Sequence, residues 1–130
     1  MKIVKIAVGD NHNLMLTDQG HLYINGDNSS GQVDGILDYF LYYHCIPKRI
    51  ILPDKSPIKR IFAKCNRSAV ELENGMYYYW GGYSYDPNYR LSCQPKYLGF
   101  NSYNTEPGIP KDSKIVDVAL GLYHDIVLVE

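Results

Sequence analysis

The chain repeats itself with a period of 56 residues, and this self-similarity limits its fold more than any other feature. The segments IVKIAVGDNHNLMLT from residue 3, KRIFAKCNRSAVELE from residue 59 and IVDVALGLYHDIVLVE from residue 115 align without a gap. Ile6, Phe62 and Val118 form one apolar column and Ala7, Ala63 and Ala119 a second. Leu14, Val70 and Ile126 form a third, and Leu16, Leu72 and Leu128 a fourth. The polar marks are kept less evenly: Gly9 and Gly121 have Cys65 between them, and His12 and His124 have Ser68. A unit that recurs in register is a supersecondary element stacked on its own copies, so its conserved columns should be the surfaces that touch neighbours. All twelve column residues are therefore predicted to be buried and equivalent, with the three alanines marking close approach of strands.

The repeat extends beyond these columns. TDQGHLYINGDN in the first copy answers to ENGMYYYWGGYS in the second, each a turn followed by a strand that ends in glycine. The second is one residue shorter, and its Asn74-Gly75 is a favoured two-residue hairpin turn because both residues tolerate positive φ. Further on, Cys45-Ile46-Pro47-Lys48 matches Cys93-Gln94-Pro95-Lys96. Each unit thus reads as about four short strands joined by turns. With 13 Tyr, 11 Gly and 7 Pro, and no window of sustained helical period, composition agrees. Only ILDYFLYYHC, residues 36–45, could hold a helical turn or two. The predicted class is all-β: a β-propeller-type repeat array with one four-stranded repeat over 1–57, a second over 58–113 and a partial third over 114–130. Two and a third units form an incomplete propeller, which leaves strand edges open. The chain is therefore expected either to be part of a longer repeat protein, the favoured reading, or to be completed by another copy or another subunit.

Gly9, His12, Leu14, Leu16, Gly20, Tyr23, Gly26, Asn28, Gly31 and Gln32 together resemble the regulator of chromosome condensation (RCC1-like) repeat. The second copy keeps Gly75, Tyr78, Trp80 and Gly81 of that pattern, with YSYDPNYRLS in place of the Asn-x-x-Gly-Gln tail, and the third keeps Gly121 and His124. The resemblance implies blades of a seven-bladed propeller. For function it implies guanine-nucleotide exchange on a Ran-like small GTPase, or a proteinaceous enzyme inhibitor, beside a plain scaffold.

Chemistry at individual residues is sparse. His12 and His124 lie at equivalent places in different repeats, with no Cys or carboxylate at ligand spacing, and read as scaffold that holds sharp turns near glycine. GDNSSG lacks the Lys-Ser/Thr ending and following helix of a phosphate loop, and it lacks the oxygen ladder of a calcium loop. There is no Gly-x-Ser-x-Gly elbow, and Glu71 and Glu73 flank Leu72 on the outward phase of a strand, where solvated carboxylates belong. The expectation is no enzyme, no cofactor and no metal.

Charge and cysteine narrow the setting. Lys and Arg number 13 against 14 Asp and Glu, for a net charge of -1, without long runs of either sign; this gives no footprint for nucleic acid or a membrane surface. No segment approaches the roughly 18 apolar residues of a membrane span, nor is a signal peptide evident, so the setting is read as intracellular, cytoplasmic or nuclear. Cys45, Cys65 and Cys93 suit neither a disulfide framework nor a metal knuckle and read as free thiols. Asn28-Ser29-Ser30 and Asn66-Arg67-Ser68 match the glycosylation pattern but carry no weight in that setting. Surface recognition remains. Residues 81–108 bring tyrosines together with Asn, Ser, Pro and Gly, the chemistry of adaptable binding loops, where stiff rings with polar tips give contact area at low entropic cost. Tyr83, Tyr85, Tyr89 and Tyr103 are the candidate residues for binding a protein partner; the alternative is that these rings pack over loop backbone.

Overall fold

The computed structural model describes residues 1–35, 42–82, 96–97, 115–121 and 125–130. Among these every regular element is a strand and every ladder is antiparallel. β1 (Ile3–Val8), β2 (His12–Thr17), β3 (Leu22–Asp27) and β4 (Tyr43–Ile50) make one four-stranded sheet in chain order. β5 (Ile58–Lys64), β6 (Arg67–Leu72), β7 (Tyr77–Gly81) and β8 (Lys96–Tyr97) make a second, and β9 (Ile115–Leu120) pairs with β10 (Asp125–Val129). The two four-stranded repeats and the partial third are present as read from the sequence. The recurring Pro-Lys marks the fourth strand each time, with Pro47 and Lys48 in β4 and Lys96 in β8. Residues 43–45 of the stretch with helical potential begin β4, so extended pairing with Asp27 and Gly26 prevails there; residues 36–41 lie outside the described residues. No helix among the described residues is long and apolar enough to cross a membrane.

The repeats are equivalent in face but not in hairpin register. Ala7 pairs with Leu14 and Ala119 with Ile126, whereas Val70 pairs with Ile61 and Ala63 with Ser68. The second hairpin closes two residues tighter, across Cys65 and Asn66, and Cys65 takes a left-handed φ of 50° where the other copies have glycine. Because side chains alternate with a period of two, a two-residue shift leaves every column on its own face, while a one-residue shift would have turned each outward. The β6–β7 turn also departs from expectation. Leu72 N–H donates to the Met76 carbonyl around a three-residue loop, and only Gly75, at φ 84°, is left-handed. Asn74 instead accepts the Met76 N–H with its side chain, 3.1 Å away.

Two apolar clusters join the sheets. The larger is shared between Leu14, Leu22 and Ile24 of the first sheet and Val70, Leu72, Tyr78 and Trp80 of the second, with Val33 between them. The smaller joins Tyr77, Phe62 and Tyr79 of the second sheet to Val118 and Leu120 of the third pair. The second sheet is therefore covered on both faces, which is why β6 is buried along nearly its whole length while β2 and β3 alternate.

That difference corrects the packing expectation. Leu14, Leu16, Val70, Leu72 and Val118 are buried, and Ala7, Phe62 and Ala63 are half-buried. Ile6, however, is 70% exposed; it pairs with Met15 on the face of the first sheet opposite Leu14, and that face lacks the cover Val118 gives its counterpart Phe62. Ala119, Ile126 and Leu128 are exposed as well, on one open face of the β9–β10 pair. Equivalent columns have unequal burial because cover depends on which neighbour is there, not on the column itself.

Candidate functional site

The residues that looked catalytic or metal-binding in the sequence lie where one repeat meets the next. His12 opens β2, is 1% exposed, and sends its ring to the second repeat. Nε2 lies 3.2 Å from the Arg67 carbonyl and 3.0 Å from Ser68 Oγ. A carbonyl can only accept, and the Ser68 hydroxyl already donates to the Gln32 carbonyl at 2.7 Å, so Nε2 must carry the proton. Nδ1 is then the unprotonated nitrogen, and it has no partner among the described residues. Burial holds the His12 pKa below the ordinary 6.5, against the upward pull of the Arg67 carbonyl and of Asp27 and Asp10. This is a neutral, oriented imidazole whose single N–H is spent on scaffold, as the spacing argument expects. Its link runs across the junction rather than only around its own turn. The repeat counterpart of His12 in the second copy is Ser68, which the ring meets; His124 lies outside the described residues.

Gly9 serves close approach here rather than left-handed backbone geometry. A Cβ on Gly9 would stand 2.5 Å from His12 Nδ1 and 2.7 Å from the Cys65 carbonyl, an overlap that the ring and the neighbouring backbone would both have to relieve. The same carbonyl accepts the Asp10 N–H at 3.1 Å. At the next junction the Gly121 carbonyl, 56 residues on from Cys65, accepts from Arg67 Nη1 at 3.1 Å. One acceptor position thus ties each repeat to the one before it, with a backbone donor in one case and a guanidinium in the other.

The GDNSSGQ loop is closed on itself. The Asp27 carboxylate accepts from Ser29 N–H and hydroxyl, both at 2.9 Å, and from Gln32 Nε2 at 3.1 Å. Asn28 donates to Asp34 and accepts the Val33 N–H. Gln32, fully buried, receives the Ser30 N–H at 2.8 Å. The loop then sits against the second repeat, where Trp80 Nε1 donates to the Val33 carbonyl at 3.3 Å. Gly81, at φ 82°, brings its backbone so near Gln32 that a Cβ would lie 2.9 Å from the Gln32 Cα. These donors and acceptors are consumed in holding a tight loop.

The second junction is charged, and it overturns the reading of Glu71 as solvated. Glu71 is only 5% exposed, because the face it shares with Tyr77 is the one covered by the third repeat. Its carboxylate accepts from Arg60 Nε and from Lys59 Nζ. Arg60 also donates to Tyr77 Oη at 2.8 Å and to Asp117 Oδ1 at 3.1 Å, and it lies 5.2 Å above the Phe62 ring. The Glu71 hydrogen bond strengthens the guanidinium's hold on its proton, and burial pushes the Tyr77 hydroxyl up against the opposing pull of Arg60. Glu73, by contrast, is exposed in its turn as expected. A signal for this cluster does exist in the sequence: Arg60 and Asp117 are 57 residues apart, one off the repeat period, and so fall on neighbouring inner strands.

Among the described residues no group of three His, Cys, Asp or Glu side chains could hold a metal ion. Cys45 is exposed and Cys65 buried, both as free thiols. Tyr83, Tyr85, Tyr89 and Tyr103 lie outside the described residues. Of the tyrosines nearby, Tyr77 and Tyr78 are buried and so belong to packing.

Comparison with known proteins agrees with this geometry. Residues 3–32 match the regulator of chromosome condensation (RCC1) repeat. An RCC1 repeat-containing protein of Dictyostelium discoideum is 26% identical over 129 residues, which is 98% of this chain and 26% of that protein. The mouse (Mus musculus) X-linked retinitis pigmentosa GTPase regulator is 35% identical over 81 residues, 62% of this chain and 8% of that protein. Prp20p of Saccharomyces cerevisiae, whose crystal structure was described with its binding to Gsp1p and histones, superposes with a TM-score of 0.69 at 25% identity, over 97% of this chain and 31% of that one. The chain thus spans about a quarter of the length of that Dictyostelium relative and under a third of Prp20p. Period, junction chemistry and these likenesses agree that residues 3–32 match an RCC1 repeat and that the chain as a whole is similar to RCC1 repeat proteins.

Proposed function

We propose that this chain is a non-catalytic protein-interaction module, an RCC1-like array that binds a protein partner through the tyrosine-rich segment, with Tyr83, Tyr85, Tyr89 and Tyr103 as contact residues. The observation that carries this is where the polar chemistry of the described residues goes. His12, Ser68, Gln32 and Arg60 are engaged across junctions between repeats, and Glu71 is held by Arg60 and Lys59 within its own repeat, which gives these groups a scaffold role and favours recognition through loops. That Prp20p binds Gsp1p and histones supports a protein partner as the class. The test uses purified core histones and a Ran-like GTPase as probes. Replacing the four tyrosines by Ala should weaken binding at least about tenfold while the melting temperature stays nearly unchanged. A variant that mainly melts earlier would assign the rings to packing and end this reading.

A second reading, guanine-nucleotide exchange on a Ran-like small GTPase, rests on the likeness to Prp20p. Fold does not fix function, and the two readings part on whether bound nucleotide leaves faster.

A further inference from the structure

We propose that the cleft between the β2–β3 turn and the β4–β5 connection docks an acidic segment of a partner protein, in which an apolar side chain stands beside Asp or Glu. The cleft is open to solvent and holds about 360 Å³, with residues 19–22 on one wall and residues 49–52 and 54–58 on the other. Its floor is apolar. Leu22 is buried, and Ile50, Leu52 and Ile58 are half-buried against the core that the first two sheets share. Ile51, on the same wall, is 71% exposed. A large aliphatic side chain left in water beside an apolar floor is a surface that a partner's own apolar side chain can cover.

Charge selects the rest of the ligand. Lys48, Lys59 and Arg60 each have a carboxylate partner. The exposed side chains of Arg49 and Lys55, which line the cleft, have no ion-pair or hydrogen-bond partner among the described residues. Ser56 Oγ accepts the Asn74 N–H at 3.2 Å, so its own proton is left to donate. The one acid of the walls, Asp54, is already engaged: its carboxylate accepts from Ser56 N–H at 2.8 Å and from Asn74 Nδ2 at 2.9 Å. Two free cations and a hydroxyl donor around an apolar floor complement carboxylates set beside an apolar side chain. A nucleic-acid phosphate would meet the same cations but leave the floor and Ile51 uncovered. The connection is also held before a ligand arrives, by its bonds to Asn74 and by Glu73 N–H donating to the Pro57 carbonyl at 2.8 Å, which lowers the ordering cost of binding. The cleft lies within residues 19–58 and takes nothing from the tyrosine segment, so either site can fail without the other.

Panning a displayed library of short random peptides against the 130-residue chain, with the double variant Arg49→Glu and Lys55→Glu as counter-selection, tests this. The recovered peptides should share Leu, Ile or Phe beside Asp or Glu. One of them, labelled and followed by fluorescence anisotropy, should bind with a dissociation constant that rises at least about tenfold in the double variant, and that rises with salt between about 50 and 300 mM. Ile51→Asp should weaken binding as well, whereas Lys64→Glu, at an exposed cation of β5 outside the cleft, should leave it unchanged. Adding the peptide to the unsubstituted chain should move amide NMR signals of residues 19–22 and 49–58, a readout that needs no variant to fold. Recovered peptides without the acidic and apolar pattern, an affinity indifferent to the double variant, signal changes confined to other residues, or a single-stranded oligonucleotide that binds the cleft more tightly than any recovered peptide would each overturn the proposal.

Discussion

Replacing His12 by Ala should cost the fold more than any exposed substitution, and the structure gives the scale. The change withdraws one N–H from two acceptors in the next repeat, the Arg67 carbonyl and Ser68 Oγ. It also empties the space of one of the larger fully buried side chains. A buried hydrogen bond contributes about 1 kcal/mol net and the cavity adds to it, so about 2–4 kcal/mol is expected, against a total near 5–15 kcal/mol for a domain. At about 4 °C per kcal/mol for a chain of this size, the melting temperature should fall by roughly 8–16 °C. Differential scanning calorimetry at pH 7.5 measures this, and His12→Gln, which restores a donor, should recover part of it. The pH dependence sharpens the test. With its pKa lowered by burial, His12 binds fewer protons folded than unfolded between its folded value and about 6.5. Its contribution is therefore complete above 6.5 and is lost as pH falls through the folded value. The stability gap between native chain and His12→Ala should accordingly shrink as pH falls below 6.5. A gap under about 0.5 kcal/mol at pH 7.5, or one that grows on acidification, would refute the neutral cross-junction imidazole.

Other perturbations follow from the same geometry. In the charged junction, removing Arg60 alone should destabilise by about 2–4 kcal/mol because buried Glu71 loses its nearest cation and keeps exposed Lys59 as its remaining ion-pair partner among the described residues. The double variant Arg60→Met with Glu71→Leu should be markedly less harmed than the sum of the singles, as a double-mutant cycle by urea unfolding would show. Gly9→Ala should destabilise by about 1–3 kcal/mol through overlap with the His12 ring and the Cys65 carbonyl, whereas Gly9→Ala in a His12→Ala background should cost measurably less. Cys65→Gly should be neutral or stabilising in the same assay, since residue 65 holds a left-handed φ of 50° that glycine adopts without penalty.

Much of the fold was legible because the chain states it three times. The alternating columns fixed which residues share a face, and the Pro-Lys pair marked the fourth strand, so strand count and class followed from pattern. Burial was less legible. Ile6 and Phe62 occupy one column, yet only Phe62 has a third-repeat neighbour to cover it, and a column carries no information about its neighbours. Glu71 misled for the same reason: alternation marks the face opposite Leu72 as outward only when a sheet has one covered side, and the second sheet has two. The tighter second hairpin was hidden because a two-residue shift preserves the side-chain phase that the alignment reads. At the site, the scaffold role of His12 followed from the lack of ligand spacing, but its acceptors did not, since they come from Arg67 and Ser68 more than fifty residues away.

Nucleotide release tests the functional account most directly. A Ran-like GTPase loaded with labelled GDP is mixed with a saturating excess of the chain, with binding confirmed in parallel, and the rate of label loss is followed. A non-catalytic interaction module leaves that rate at its intrinsic value, in the native chain and in the Tyr83, Tyr85, Tyr89 and Tyr103 variant alike. An acceleration of about tenfold or more, which lowers the release barrier by about 1.4 kcal/mol, would contradict the account and establish exchange as the activity.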